Sequence, residues 1–237
     1  YKTFFNETLK DTYSKIPGYE NTFDLWKEGI EKNIFAPQFH GREHVNVLSY
    51  NKLLDLKDPE LIANIDNFSS TSIKTKPFKE INITGAFKFE NFSQNEELKT
   101  IVADGLSKFK EVYGFKAKVF NPPGGCEHEV LHEILSENGI EYIETPMIKY
   151  EHQGEGNYKR KFHRLGQRNI YNQSFLIRNC LFEPNANKNI DWPEYAFKQI
   201  QAAFYWNKPA IISSHRVNFS GHIDENNRKE GISSLSK

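Results

Sequence analysis

The sequence predicts an α/β fold of the β/α-barrel type, formed by a single domain over residues 1–237. Three segments, 39–44, 120–125 and 211–216, each place residues suited to a reaction centre directly after a short apolar run. In a β/α barrel the catalytic groups come from the C-terminal ends of several strands, because the following loops converge on one face. Residues 116–143 add a strand, a turn, a helix and a second strand, which is the repeat that such a fold requires.

Composition and charge restrict the class of partner. The 31 basic side chains equal the 31 acidic ones, so no net charge favours binding to nucleic acid or to an anionic membrane. No apolar run approaches the roughly 18 residues that a membrane-spanning helix needs. Cys126 and Cys180 form no Cys-x-x-Cys motif and are too few for a disulfide framework. We expect no nucleic acid and no membrane span.

Both ends of the sequence look cut, which predicts an excerpt of a longer protein. Without a signal-peptide pattern a cytoplasmic location is slightly favoured.

The first half of the chain has mainly helical patterns. Phe23, Trp26 and Ile30 recur at helical spacing, and Pro59 suits the first turn of a later helix, where its missing N–H costs nothing. A short apolar run that holds Pro37 suits a strand at a barrel rim. The predicted elements are helices over residues 5–34 and 45–54 and from residue 58, an extended run over residues 35–39, and a loop or irregular strand over residues 69–84.

The second half alternates helices and strands. Apolar side chains recur every three or four residues from Leu98 to Val112, which predicts an amphipathic helix that Gly114 closes. Asp191 and Glu194 form a capping box at the start of another helix. The predicted elements are helices over residues 94–113 and 127–138, from residue 191 and near residue 224; strands over residues 116–120, 140–143, 174–182 and 209–213; and a long polar loop over residues 150–172.

His40 and His44 form the first candidate site. At the junction of a strand end and a helix start the two imidazoles can converge on one metal ion, with about 2.0–2.1 Å per zinc–nitrogen bond. Arg42 and Glu43 lie between them and suit the hydrogen bonds that buried metal ligands need. The alternative is that one histidine caps the helix and the other is an ordinary surface residue.

Two peptidase-like motifs compete with this interpretation. His40–His44 also spells H-x-x-E-H, but that motif needs a continuous helix, which Gly41 after an extended run disfavours. His128-Glu129-x-x-His132 is a literal H-E-x-x-H on a predicted helix, with Glu129 as the general base of a zinc hydrolase. Glutamates at four-residue spacing over residues 129–137 favour instead a solvated surface helix that carries two histidines.

The other two strand ends supply candidate catalytic and substrate-binding residues. His215 follows a buried strand and is placed to act as general acid or base, or else to hold its loop by hydrogen bonds. Arg178, inside an apolar strand, is either a substrate contact or half of a structural ion pair. The Pro-Pro-Gly-Gly turn after Phe120 either only builds a loop or lines a substrate pocket. The predicted substrate-binding residues are Asn121, Pro123, Gly124, Arg178 and Arg216.

With these residues assembled, the chain resembles the polysaccharide deacetylase superfamily of NodB-like proteins, and within it a bacterial polysaccharide (de)acetylase-like subgroup. The likeness runs from about residue 20 to residue 232. It is carried by residues 26–30, 38–44, 165–169, 177–179 and 211–219, with the turn at residues 120–124 in the place of the loop that reads Arg-x-Pro-x-Gly in the superfamily.

The resemblance implies a distorted (β/α)7 TIM-like barrel and a divalent metal, zinc or else cobalt or nickel, held by an aspartate and two histidines. His40 and His44 match the histidine pair, and His215 matches the histidine that protonates the leaving group. The implied reaction is attack of metal-activated water on an acetyl carbonyl of a carbohydrate. Asn121 stands where arginine is usual. The superfamily's Asp-Asp pair is absent, which predicts that the first strands lie upstream of Tyr1 and that the barrel is incomplete.

The predicted function is therefore removal of N- or O-acetyl groups from a polysaccharide by a metal-dependent hydrolase. Two alternatives of other classes stay open. The first is a non-catalytic carbohydrate-binding barrel that kept the fold and lost the base. The second is a zinc metallopeptidase that uses His128, Glu129 and His132.

Overall fold

A computed structural model describes residues 4–67, 69, 83–222 and 224–237. The chain divides into two compact units, Tyr1–Phe175 and Leu176–Lys237, which are described separately. A single domain over residues 1–237 stays a prediction. Most of the polar segment predicted as a loop over residues 69–84 lies outside the described residues.

The first unit contains six helices within its described residues. Asp58 accepts a hydrogen bond from the backbone N–H of Leu61 at 2.9 Å, and Pro59 occupies the first turn as the sequence predicts. The predicted helix over residues 5–34 is interrupted where Pro17 and Gly18 follow one another, because Gly18 adopts a left-handed φ of 84°. The helices are α1 (Leu9–Lys15), α2 (Thr22–Glu31), α3 (Val47–Asp55), α4 (Pro59–Asp66), α5 (Asn95–Tyr113) and α6 (His132–Glu137).

Helix α5 confirms the clearest pattern in the sequence. It ends at Gly114, which has a left-handed φ of 80° and closes the helix through its N–H to the carbonyl of Lys110. Its buried side chains Leu98, Val102 and Phe109 follow one face of the helix. Complete burial of such a side chain contributes about 1.5–3 kcal/mol, so this face anchors α5 on the core of the unit.

The first unit contains a short parallel sheet, and candidate site residues follow the ends of its strands. It has the order β1 (Val119–Phe120), β2 (Tyr142–Glu144) and β5 (Ser174–Leu176), and β1 pairs with β2 through Phe120 and Ile143. Phe39 adds a parallel bridge to Phe120 on the other side of β1. Phe39, Phe120 and Ile143 are buried in one cluster with α5. The chain segments after Phe39 and Phe120 therefore leave the same edge of the sheet.

Residues 148–162 form an antiparallel hairpin, so the long polar loop predicted over residues 150–172 is wrong in its first half. The strands are β3 (Ile148–Gly154) and β4 (Asn157–Phe162), paired from Ile148 with Phe162 to Gly154 with Asn157. The physical reason for the error is the burial of charged side chains. Lys149 and Glu151 point inward and Tyr150 points outward, which reverses the usual pattern of a surface strand.

The second unit contains a two-stranded parallel sheet and two helices within its described residues. β6 (Cys180–Leu181) pairs with β7 (Ile212–Ser213). The helix α7 (Trp192–Tyr205) begins at Asp191, which accepts a hydrogen bond from the backbone of Glu194 as the capping pattern predicts. Phe182, Trp192 and Ala196 form the hydrophobic core of this unit. The last helix, α8 (Glu225–Leu235), starts after Asp224.

The predicted (β/α)7 TIM-like barrel is wrong for the part of the chain that the structure describes. That part has small separate sheets of three, two and two strands, and none of them closes. A barrel closes only when every strand is hydrogen-bonded on both sides, with a regular tilt around an axis. Here the parallel strands are two or three residues long, and β3 and β4 pair antiparallel with each other instead of extending a parallel ring.

Candidate functional site

His40 lies at the edge of the parallel sheet, beside the segment that follows β1. Its Nδ1 atom is 2.6 Å from the backbone carbonyl oxygen of Asn121. Because a carbonyl oxygen can only accept, Nδ1 carries a proton, and in the neutral ring Nε2 then keeps its lone pair. The Phe39–Phe120 bridge sets this contact, since Phe39 accepts the N–H of Asn121 at 2.9 Å. The backbone thus fixes both the orientation and the tautomer of His40.

His44 lies next to His40, with 5.4 Å between the two ring centroids, and both side chains are exposed. An ion-pair network holds the loop between them. Arg42 donates to Glu43 at 2.6 and 2.9 Å and to Asp104 of α5 at 2.7 Å. The structure therefore brings the predicted pair together on an anchored loop.

The pair is not a complete metal site by itself. Among the described residues, no group of three or more His, Cys, Asp or Glu side chains has metal-binding geometry. The residues nevertheless fit a divalent ion in one respect. Metal-ligating histidines almost always donate their other ring N–H to a carbonyl, carboxylate or water, and His40 does so to Asn121.

The turn after β1 positions His40 through its backbone. Residues 122–125 form a tight turn in which Pro123 is buried, and Gly124 and Gly125 have left-handed φ values of 64° and 63°. A Cβ atom on Gly124 would lie 3.2 Å from the sulfur of Cys126, so the turn leaves little room for a side chain. A substrate contact from Asn121, Pro123 or Gly124 stays a prediction, whereas the contact from the Asn121 carbonyl to His40 is present.

His215 in the second unit is held by a buried carboxylate that the sequence analysis did not single out. Its Nδ1 lies 2.7 Å from Oε1 of Glu183, and its backbone N–H donates to the same oxygen at 3.1 Å. Asn218 donates to the other oxygen at 2.7 Å. Burial alone would raise the pKa of Glu183, but the hydrogen bonds from Asn218 and His215 outweigh it and lower that pKa. Glu183 is therefore a carboxylate that orients an exposed imidazole.

The two predicted arginines of this unit lie at its surface. Arg178 donates to the hydroxyl of Ser213 at 3.4 Å, beside the strand that leads to His215. Arg216 is exposed and begins the turn that follows His215. Their roles in substrate binding stay predictions.

Neither peptidase motif has its required helix. His40 to Glu43 are outside any helix, and His128 has an extended backbone at the start of a short 3₁₀ turn. His128 also accepts the N–H of Val130 at 3.1 Å, which leaves only Nε2 for another partner. The expectation that His128 and His132 lie on a solvated surface is wrong, because both are buried, although Glu129, Glu133 and Glu137 are exposed.

The two histidines instead belong to a buried polar cluster in the first unit. Lys149 forms an ion pair with Glu127, and both side chains are almost fully buried. Lys161 pairs with Glu151 at 2.8 Å and with Glu129. Burial alone would raise the pKa of Glu127, but Lys149 and His132 lower it, so Glu127 is held ionised. The members of the cluster are Glu127, His128, His132, Lys149, Glu151, Lys161 and His163, and the exposed Glu129 lies at its edge.

A buried histidine beside this cluster predicts a pH-dependent stability. His152 is completely buried, and burial first, then the charges of Lys88 and His128, lower its pKa to about 4. The unfolded chain binds a proton near pH 6.5, and the folded chain does not until about pH 4, so stability falls as pH falls between these values. We expect His152 to lower the free energy of unfolding by about 3 kcal/mol between pH 6.5 and pH 4. Urea unfolding at several pH values measures this change.

The slope of the free energy of unfolding against pH tests whether His152 causes this loss. His152→Phe should reduce the slope below pH 6.5 by about 1.4 kcal/mol per pH unit, because one buried imidazole is removed. His222→Gln, at an exposed position, is the control for loss of an imidazole. Burial also lowers the pKa of His128 and His163, so a residual slope of the same sign is expected. An unchanged slope in His152→Phe would contradict the prediction.

The chain matches no protein-family model, no curated protein and no solved structure. In the part of the chain that the structure describes, no helix is both long and apolar enough to cross a membrane. The assignment of the chain to the deacetylase superfamily stays a prediction from its motifs.

Proposed function

We propose that this chain carries the metal-binding and proton-transfer residues of a metal-dependent carbohydrate deacetylase, which removes N- or O-acetyl groups from a polysaccharide. The observation that carries the proposal is the contact between His40 Nδ1 and the Asn121 carbonyl oxygen, which leaves Nε2 of His40 free beside His44. This is the arrangement that metal-ligating histidines adopt in general. The resemblance of the motifs to those of the deacetylase superfamily supports the reaction class.

The roles of the residues follow from their contacts. His40 and His44 would hold a divalent ion, zinc in the first place, together with further ligands. A bound ion of this kind supplies a nucleophilic water at neutral pH. His215, oriented through Nδ1 by Glu183, would give a proton from Nε2 to the leaving amine or alcohol as the acetyl C–N or C–O bond breaks.

The other candidate functions have less support. A metallopeptidase would need His128 and His132 on one helix face, and Glu129 free to act as base. His128 is not helical, and Glu129 forms an ion pair with Lys161. A non-catalytic carbohydrate-binding protein needs no metal and is distinguished by the metal measurement below.

We expect His40→Ala and His44→Ala each to weaken zinc binding by roughly 100-fold or more. Loss of a residue that only hydrogen-bonds to a metal ligand typically lowers metal affinity 10–100-fold. Loss of the ligand itself should lower the affinity at least as much. Titration with Zn²⁺ or Co²⁺ in competition with a chromophoric chelator measures the change, and elemental analysis measures the stoichiometry.

Two controls sharpen this experiment. Asn121→Ala should leave metal affinity within about threefold of the original, because the contact to His40 comes from the backbone carbonyl and not from the side chain. A matched double variant, His128→Ala/His132→Ala, should keep the metal. If that variant lost the metal and His40→Ala kept it, the metallopeptidase function would replace our proposal. If neither the original chain nor any variant bound metal, the non-catalytic carbohydrate-binding function would be favoured.

A further inference from the structure

In the β3–β4 hairpin, strand β3 buries charged side chains, whereas aromatic side chains of both strands are exposed. Lys149 and Glu151 are each only 2% exposed, whereas Tyr150 and Phe162 are 62% and 59% exposed. A hairpin on a protein surface normally presents the opposite pattern. Burial of charged groups costs free energy unless they are paired, so the inward charges call for a specific reason.

The inward face of the hairpin lines a cavity of about 790 Å³ in the first unit. Its volume lies in the range of sites for small molecules, which are generally apolar clefts with a few converging polar groups. Phe92 and Phe175 form apolar parts of the wall, and His132, Lys149 and Lys161 provide polar parts. The cavity therefore combines ring surfaces with fixed hydrogen-bonding groups.

The proton position of His132 in the cavity wall can be deduced from its neighbours. The Oδ1 atom of Asn169 accepts backbone N–H groups from Tyr171 and Gln173, both at 3.0 Å, which fixes the orientation of its amide. Its Nδ2 therefore donates to Nδ1 of His132 at 3.2 Å. In the neutral ring the proton is then on Nε2.

Within the described part of the chain, that Nε2–H group is a buried donor without a hydrogen-bond partner. The ring of His132 is more than nine-tenths buried, and the nearby Oε1 of Glu127 is 3.9 Å away, beyond hydrogen-bond length. The second carboxylate oxygen of Glu127, Oε2, likewise has no hydrogen-bond partner among the described residues. An unsatisfied buried polar group costs roughly 1–3 kcal/mol, and such groups in a native structure indicate a role beyond packing.

The charges around the cavity leave a positive surplus at its rim. Lys149 is balanced by Glu127, and Lys161 is balanced by Glu151 and Glu129. Lys159 and Arg168 also line the cavity, and in the part of the chain that the structure describes neither forms a salt bridge with a carboxylate. The rim therefore favours a ligand that carries a negative charge.

From this geometry we infer that the cavity under the β3–β4 hairpin binds a monosaccharide-sized ligand with one anionic group, a carboxylate or a phosphate. The anionic group contacts Lys159 and Arg168 at the rim, and an oxygen of the ligand accepts a hydrogen bond from Nε2–H of His132. The apolar face of the ring packs against Phe92 and Phe175, as sugar rings pack on aromatic side chains. The inference does not depend on the proposed metal site, because none of these residues belongs to it.

Calorimetric titration of the 237-residue chain tests this inference, with glucuronate, glucose 6-phosphate and glucose as probes. We expect saturable binding of at least one of the two anionic sugars and at least tenfold weaker binding of glucose. Whether glucuronate or glucose 6-phosphate binds more tightly identifies the anionic group. Binding should persist in the presence of a chelator and in His40→Ala/His44→Ala, which separates this site from the proposed metal site.

Three variants then locate the binding. Lys159→Gln/Arg168→Gln should weaken binding of the anionic sugar by tenfold or more, because both positions are exposed and their substitution spares the core. His132→Leu should also weaken it, and circular dichroism must show an intact fold. Lys116→Gln removes an exposed cation of the same unit outside the cavity and should have no effect. No binding of either anionic sugar, equal binding of glucose, or unchanged affinity in the Lys159→Gln/Arg168→Gln variant would each overturn the inference.

Discussion

Replacement of Glu127 by leucine is expected to lower the free energy of unfolding by about 3–5 kcal/mol, which is the typical cost of removing one partner of a buried ion pair. Glu127 is completely buried, and it is the ion-pair partner of Lys149, whose side chain is also almost fully buried. The variant leaves the ammonium of Lys149 in a protein interior without its counter-charge. Urea unfolding monitored by circular dichroism at pH 7 measures the change.

The double variant Glu127→Leu/Lys149→Met separates the cost of an uncompensated charge from the cost of altered packing. Replacement of a whole buried pair by apolar side chains of similar size is often neutral or even stabilising. We therefore expect the double variant to recover most of the stability lost in the single variant. A double variant as unstable as Glu127→Leu would show that packing, and not the lone charge, causes the loss.

An exposed ion pair in the same unit provides the matched control. Lys118 and Glu141 are 2.8 Å apart, and both side chains are more than half exposed. Pairs of this kind contribute roughly 0–1 kcal/mol, because water and salt screen them. Glu141→Gln should therefore change stability by less than about 1 kcal/mol. A similar loss in Glu141→Gln and Glu127→Leu would contradict the distinction between buried and exposed pairs.

Sequence patterns were sufficient where local chemistry determines the structure. Helix α5 follows from its apolar spacing and from Gly114, and the starts of α4 and α7 follow from Asp58 and Asp191 at the capping positions. In these elements the decisive contacts join residues three or four positions apart. Such contacts are visible in a sequence without knowledge of the fold.

The same patterns were misleading where distant residues pair. The polar composition of residues 150–172 predicts a loop, but residues 148–162 form the β3–β4 hairpin, in which Lys149 pairs with Glu127, 22 residues away. Glu183 was not singled out because its partner His215 lies 32 residues along the chain. The only local signal for Glu183 was a carboxylate directly after an apolar strand. Burial and pairing over such distances depend on the tertiary structure, which periodicity does not report.

The barrel prediction failed for a related reason. Strand ends with reactive side chains do occur after Phe39 and Phe120, and the parallel bridge between these residues brings His40 to Asn121. The sequence thus predicted a local convergence that the structure contains. It did not determine how many strands pair, since the number of hydrogen-bonded neighbours of a two-residue strand such as β1 is not encoded in its own two side chains.

Replacement of His215 by alanine is expected to lower the rate constant kcat of deacetylation by about 10²–10⁴-fold, the range that a positioned general acid contributes. The substrates to test are an acetylated chitooligosaccharide and acetylated xylan, with the zinc-loaded full-length protein and release of acetate as the readout. His222→Ala, at an exposed histidine of the same unit, is the matched control and should keep full activity. An unchanged rate in His215→Ala would exclude the general-acid role.

Glu183→Gln then tests whether the carboxylate acts through His215. Glutamine has nearly the same shape and keeps an oxygen that can accept from Nδ1, but it removes the negative charge that stabilises a protonated imidazole. We expect kcat to fall by roughly tenfold with KM nearly unchanged, because Glu183 is buried behind the imidazole and would not contact the substrate itself. In a His215→Ala background the same substitution should have no further effect, since residues that act as a unit are not additive. If the two substitutions lowered kcat additively, Glu183 would instead act by stabilising the turn, through its hydrogen bonds to Asn218 and to the backbone of His215.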